Sequence, residues 1–139
     1  MKNKLKYYIL YILIPLIIGT GIYVTSNTRT YLSDLIRDII SLPIVSYPYI
    51  IRNYACDCCW SIALFSTIHK IYSDQQNGIL ISTIISLLFS SVMEALQKVP
   101  SFPGTFDIWD IAMESLVIVT ISVFLLHQKE VHYEKKMAC

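Results

Sequence analysis

Residues 93–115 read MEALQKVPSFPGTFDIWDIAMES. Here acidic residues gather against strongly apolar sequence on both sides. Glu94 and Gln97 close one apolar run, and Asp107, Asp110 and Glu114 open the next. Pro100, Pro103 and Gly104 lie between them. Proline fixes φ and cannot continue a helix, so this is a short, stiff loop. The stretch predicts two apolar helices joined by a turn, with carboxylates collected at the joined end.

Working outward, the rest of the chain reads as membrane scaffold. Of its 139 residues 55% are hydrophobic and 15% charged, and the mean hydropathy is +0.55. Soluble domains carry about 25% charged residues. A chain of this length builds one modest core, which cannot hide so much apolar surface from water. Lipid removes that difficulty by solvating the apolar side chains. The formal net charge is +1. Lys and Arg sit at segment ends and form no stripe, which disfavours nucleic acid as a partner.

A helix needs about 20 apolar residues to cross the hydrocarbon. Residues 5–25 supply that after Lys2, Lys4 and Lys6, and Pro15 is tolerated inside such a helix. The run is too long for a signal peptide and lacks a small-x-small cleavage site. Further spans are expected at 55–72, 79–97 and 107–127. Between residues 29 and 54, Arg29, Asp34, Arg37 and Asp38 interleave with Leu35, Ile36, Ile39 and Ile40. That spacing predicts an interfacial helix ended by Pro43. The stretch 39–52 then reads as interfacial or re-entrant, with Tyr47, Tyr49 and Tyr54 at headgroup level.

The expected fold is therefore all-α: one integral membrane helical bundle over residues 1–139, with four transmembrane helices plus an interfacial or re-entrant segment. Four spans put both termini in the cytoplasm. Basic residues at the N-terminus, at Lys70 and at the C-terminus then agree with the positive-inside rule, while Arg29, Arg37, Arg52 and Lys98 fall outside. A fifth crossing over 39–52 would strand the C-terminal lysines outside.

Ser82, Ser86 and Ser90 recur every fourth residue on one face, and Glu94 continues the stripe. Small residues at that spacing let helices approach closely, so Glu94 is expected to face protein. Asp107, Asp110 and Glu114 share a face at i, i+3, i+7, with Glu114 about 10 Å deeper than Asp107. Asp57 begins its own span. The span directions place all these carboxylates at one end of the bundle. His69 and His127 fall at the other end and, with His132, read as interface residues. Cys56, Cys58 and Cys59 read as small hydrophobes in a helix, with a C-x-x-C redox pair as the minority reading.

A carboxylate at a helix centre in a membrane costs about 2.5–3.5 kcal/mol on insertion scales, and such groups face a partner, a cavity or a ligand. For Asp107 and Asp110 the plain alternative is helix capping. For Glu94 and Glu114 it is a hydrogen bond joining two helices. As a site, the cluster suits a hard divalent cation, a cationic or hydroxyl-bearing ligand, or proton transfer through raised pKa values. No Ser-His-Asp set, phosphate loop or HExxH motif points to catalysis, and no resident cofactor is expected.

The pattern Glu94-Ala-Leu-Gln97, then Gly104-Thr-Phe-Asp107-Ile-Trp-Asp110, resembles the VanZ-like family of small membrane proteins. That family ends one membrane helix with Glu-x-x-Gln and opens the next with Asp-x-x-Asp. Asp57 with Trp60 resembles the start of its preceding helix, so the likeness covers about residues 53–127. The family often has Arg in the loop and Asn after the Asp pair. Gly104-Thr105 and Glu114 stand in that neighbourhood here, so an anion-binding loop is not implied. The resemblance implies a bacterial inner-membrane protein with an envelope-facing site at Asp57, Glu94, Gln97, Asp107, Asp110 and Glu114. One member is associated with low-level teicoplanin resistance. The other readings are a membrane-embedded enzyme or proton-coupled carrier using Glu94 and Glu114, and a small structural subunit.

Overall fold

The computed structural model describes residues 2–26, 36, 39, 43–99 and 106–137. The described residues are helical apart from turns, extended connections and one isolated parallel bridge between Ser26 and Val45. The chain divides into two units, Met1–Ala63 and Leu64–Cys139.

The first unit opens with helix α1, Lys2–Tyr8, which runs through a π turn at Ile9–Leu13 into α2, Ile14–Thr25. Pro15 explains the π turn. Its ring would strike the carbonyl four residues back, and it offers no N–H. Widening the preceding turn absorbs both problems, and the Ile14 N–H bonds to the Ile9 carbonyl, five residues back. At the end of α2 the Thr25 hydroxyl donates to the Gly21 carbonyl at 2.6 Å and lies 2.9 Å from the Tyr47 hydroxyl. The Val45 N–H bonds to the Thr25 carbonyl at 2.9 Å.

Helix α3 spans Tyr49–Tyr72. It starts six residues before the expected 55, so the last residues of the segment expected to be interfacial or re-entrant form its first turns. Residues 43–48 are non-helical, whereas Tyr49, Arg52 and Tyr54 belong to α3. Pro48 sets the start: its carbonyl accepts the Arg52 N–H at 3.0 Å, and its missing donor is not needed there. Within residues 27–42 only Ile36 and Ile39 are described, and both are helical. The rest of the expected interfacial helix, and the loop Pro100–Gly104, lie outside the described residues. Gly19 is buried on α2, where a Cβ would come within 3.0 Å of Cys59 Cβ and 3.4 Å of the Cys56 carbonyl oxygen. Cys56, Cys58 and Cys59 are half-buried and form no disulfide, and small residues at Gly19, Cys56 and Cys59 permit the close approach.

In the second unit, α3 ends, a turn follows at residues 73–77, and α4, Gly78–Leu96, packs antiparallel to α5, Ile108–Met137. Cross-helix bonds set the register. The Lys129 ammonium donates to the Gln76 carbonyl at 3.4 Å, just before α4 begins. About two turns further along α4 the Thr83 and Ser122 hydroxyls bond at 2.7 Å. About two turns beyond that the Ser90 hydroxyl donates to Glu114 Oε2. Ser82 and Ser122 also donate back to the carbonyls of Gly78 and Ile118, so polar groups in apolar surroundings find partners on their own helix. Among the described residues, Phe65 and Ile118 are the largest fully buried side chains.

Among the described residues, three helices are long and apolar enough to cross a membrane: Leu5–Thr25, Gly78–Leu96 and Ile108–Val131. This makes the chain an all-helical membrane protein. Helix α3 has the length but is not among the three, because Arg52, Asp57, His69 and Lys70 dilute it. Helix α5 continues past the expected end at 127, so the basic C-terminal residues up to Met137 stay helical.

Candidate functional site

The site is built on the α4–α5 hairpin. Ser82, Ser86, Ser90 and Glu94 are all buried, as their four-residue spacing predicts. Their face meets Glu114, Ile118 and Ser122 of α5, which are also buried. Two carboxylates are thereby enclosed: Glu94 is 7% exposed and Glu114 6%.

They are held differently. Glu114 Oε2 accepts the Ser90 hydroxyl across the helix pair. Glu94 Oε1 accepts the Gln97 carboxamide at 2.8 Å, a bond between residues one turn apart. Glu94 Oε2 is buried with no hydrogen-bond partner. The chain thus orients one oxygen of Glu94 and leaves the other without a partner. A buried acceptor left unmet costs about 1–3 kcal/mol, and more when charged.

Asp110 is half-buried at the head of α5, where Glu94 and Asp107 are the acids that act on it electrostatically. The antiparallel register sets Asp110 across from Glu94, two carboxyl groups at one level. Asp107 does something else. Its Oδ1 accepts the Trp109 N–H at 2.9 Å, and its backbone carbonyl accepts the Asp110 N–H at 3.2 Å. It caps α5. At the same end Lys98 holds its ammonium 4.0 Å from the centre of the Phe106 ring, a cation–π contact. Gln97 ends α4, with its N–H bonded to the Glu94 carbonyl at 3.1 Å.

The hairpin therefore brings together Glu94, Gln97, Asp110 and Glu114 of the six expected residues, with Asp107 as a cap beside them. Asp57 lies half-buried on α3 in the first unit. Among the described residues, no three of His, Cys, Asp and Glu stand close enough to hold a metal ion. Sequence reasoning treated Ser90 only as a small residue and missed it as the partner of Glu114. The signal was present, because Ser90 sits one turn from Glu94 on a stripe already assigned to the helix interface. Ser122 and Thr83 carried no such signal.

Comparison of the chain with protein-family models, curated proteins and solved structures finds no match.

Proposed function

We propose that this chain is a VanZ-like inner-membrane protein in which Glu94, oriented by Gln97 and neighboured by Asp110, binds a cationic or hydroxyl-bearing ligand of the cell envelope. Glu114 is the structural member of the group, committed to Ser90. The observation that carries the reading is Glu94 Oε2, an acceptor on a side chain 7% exposed that the protein leaves without a partner. Structural carboxylates in apolar surroundings are bonded, as Glu114 is, whereas an open one fits a group that meets its partner from outside. An organic cation or hydroxyl needs only one or two acceptors, which suits this pair better than a divalent ion seeking six or more oxygens.

In this reading α3 is a fourth crossing, both termini are cytoplasmic, and the hairpin turn faces the envelope. Two experiments test it. In a cysteine-free background, single cysteines at Ser101 and Ser73 are exposed to a membrane-impermeant thiol reagent on intact cells. Labelling at Ser101 alone is expected, and labelling at Ser73 alone refutes the topology. Cells expressing the protein are then compared for teicoplanin susceptibility with cells expressing Glu94→Gln or Asp110→Asn at equal membrane levels. Both variants are expected to lose whatever protection the parent gives. Unchanged protection in both refutes the site.

A second reading, a structural subunit in which acids only join helices, is favoured at one position, by the Ser90–Glu114 bond. It predicts that Glu94→Gln lowers the amount of folded protein instead of its effect on cells.

A further inference from the structure

The other end of α4, about 24 Å from Glu94 along the helix, holds a cavity of about 320 Å³. This is at the small end of ligand pockets, about 300–1,000 Å³. Its polar wall comes from His69 at the end of α3, Ser73 and Gln75 in the turn, Gly78 at the head of α4, and Gln128 and Lys129 on α5. No carboxylate is part of this lining. The nearest acid in the turn is the exposed Asp74, which accepts a long 3.4 Å bond from the Ser73 hydroxyl.

The wall offers donors and positive charge. Lys129 is exposed and, among the described residues, held only by its 3.4 Å contact with the Gln76 carbonyl, so its ammonium has hydrogens to spare. His69 stacks on the buried Phe65, centres 5.7 Å apart, and its Nδ1 is buried with no partner. Asn77 caps α4 with no side-chain bond, so the positive end of that helix dipole also remains available. Gly78 keeps the turn tight, because a Cβ there would collide with the Tyr72 carbonyl oxygen.

The cavity also sits at a membrane boundary. The cavity lies where one apolar span begins, at Gly78, and close to where the other ends, at Val131. Ile71, Leu80, Phe124 and Leu126 at this level are exposed large hydrophobics. A donor-rich, cation-bearing recess flanked by apolar surface at a span end matches a headgroup with its acyl chains alongside.

We propose that this cavity binds a phosphate group, supplied in the membrane by an anionic phospholipid headgroup. Lys129 donates the charge-assisted bonds, while the carboxamides of Gln75 and Gln128 complete the shell around the phosphate oxygens.

The test uses the full chain purified in a neutral detergent. Native mass spectrometry and thermal unfolding are recorded with phosphatidylglycerol, phosphatidylcholine or inorganic phosphate. Phosphatidylglycerol is expected to remain bound and raise Tm more than phosphatidylcholine does. Lys129→Ala is expected to weaken its binding about tenfold, the loss of one hydrogen bond between charged groups. Gln128→Ala serves as a second, milder variant, and Lys6→Ala is a control distant in sequence that should bind as the parent does. Protection by inorganic phosphate alone, lost in Lys129→Ala, supports the phosphate site and assigns it to the free ion. Equal binding of the two lipids, or phosphatidylglycerol binding that neither Lys129→Ala nor Gln128→Ala weakens, overturns the proposal.

Discussion

Ser86 and Ser90 sit one turn apart on one face of α4, both buried, yet their removal should act with opposite sign. Ser90 donates its hydroxyl to Glu114, whose carboxyl is 6% exposed. A hydrogen bond to a charged group is worth about 1.5–3 kcal/mol in soluble proteins. Within membrane helix bundles measured values average about 0.6 kcal/mol and reach about 1.7. Because burial leaves Glu114 little access to water, Ser90→Ala should fall at the upper end of the membrane range, about 1–2 kcal/mol. Ser86 is 0% exposed and its hydroxyl has no partner. Ser86→Ala removes an unmet polar group at almost no change of shape, so it should be neutral or stabilising by up to about 1 kcal/mol. The assay is reversible unfolding in mixed micelles, with Glu114→Gln completing a double-mutant cycle against Ser90→Ala. Coupling of about 1 kcal/mol is expected between positions 90 and 114, and none between 86 and 114. Equal costs for the two alanines, or a cycle that closes to zero, would refute the assignment of Glu114 to Ser90.

Three further outcomes follow from geometry. Gly19→Ala should destabilise the first unit by about 1–3 kcal/mol through overpacking. Because the clash is with Cys59 Cβ, Cys59→Gly should relieve it and Cys59→Ala should not, which thermal unfolding of the three double and single variants checks. Asp107→Ala should cost about 1 kcal/mol by uncapping α5 and Asp107→Asn much less, with neither altering the effect of the protein on cells. Gly78→Ala should lower Tm and release the turn at residues 73–77, read as faster proteolysis there, since its Cβ meets backbone that cannot yield.

Much of the hairpin was legible beforehand because its signals are local. A serine every fourth residue ending in Glu94 specifies a helix face, and the structure buries all four. Among the described residues, three of the four expected spans are long, apolar helices for the same reason: about twenty mostly apolar residues in a row leave few alternatives. The start of α3 was misplaced by six residues because prolines were read as breaks. Pro48 instead begins the helix, a role that depends on where its carbonyl points. Of the acids, Asp107 looked like a ligand or a cap on equal terms, and only its bond to the Trp109 N–H decides for the cap. The cavity at the far end could not be read at all. Its walls come from residues 69 to 129, and no pattern within one segment marks His69, Gln75 and Lys129 as neighbours.

The π turn at Ile9–Leu13 has a genetic corollary. A π turn holds one residue more than an α-helical path of the same length. Pro15 and that surplus residue therefore compensate each other. Deleting one residue from Ile9–Leu13 while keeping Pro15 forces the ring onto a carbonyl. Replacing Pro15 by leucine while keeping the surplus leaves a bulge with no cause. Only the paired change restores a regular helix that still presents Gly19 to Cys59. Chain length and a single proline are thus tied here as one heritable unit, and any related sequence lacking Pro15 should be one residue shorter before it.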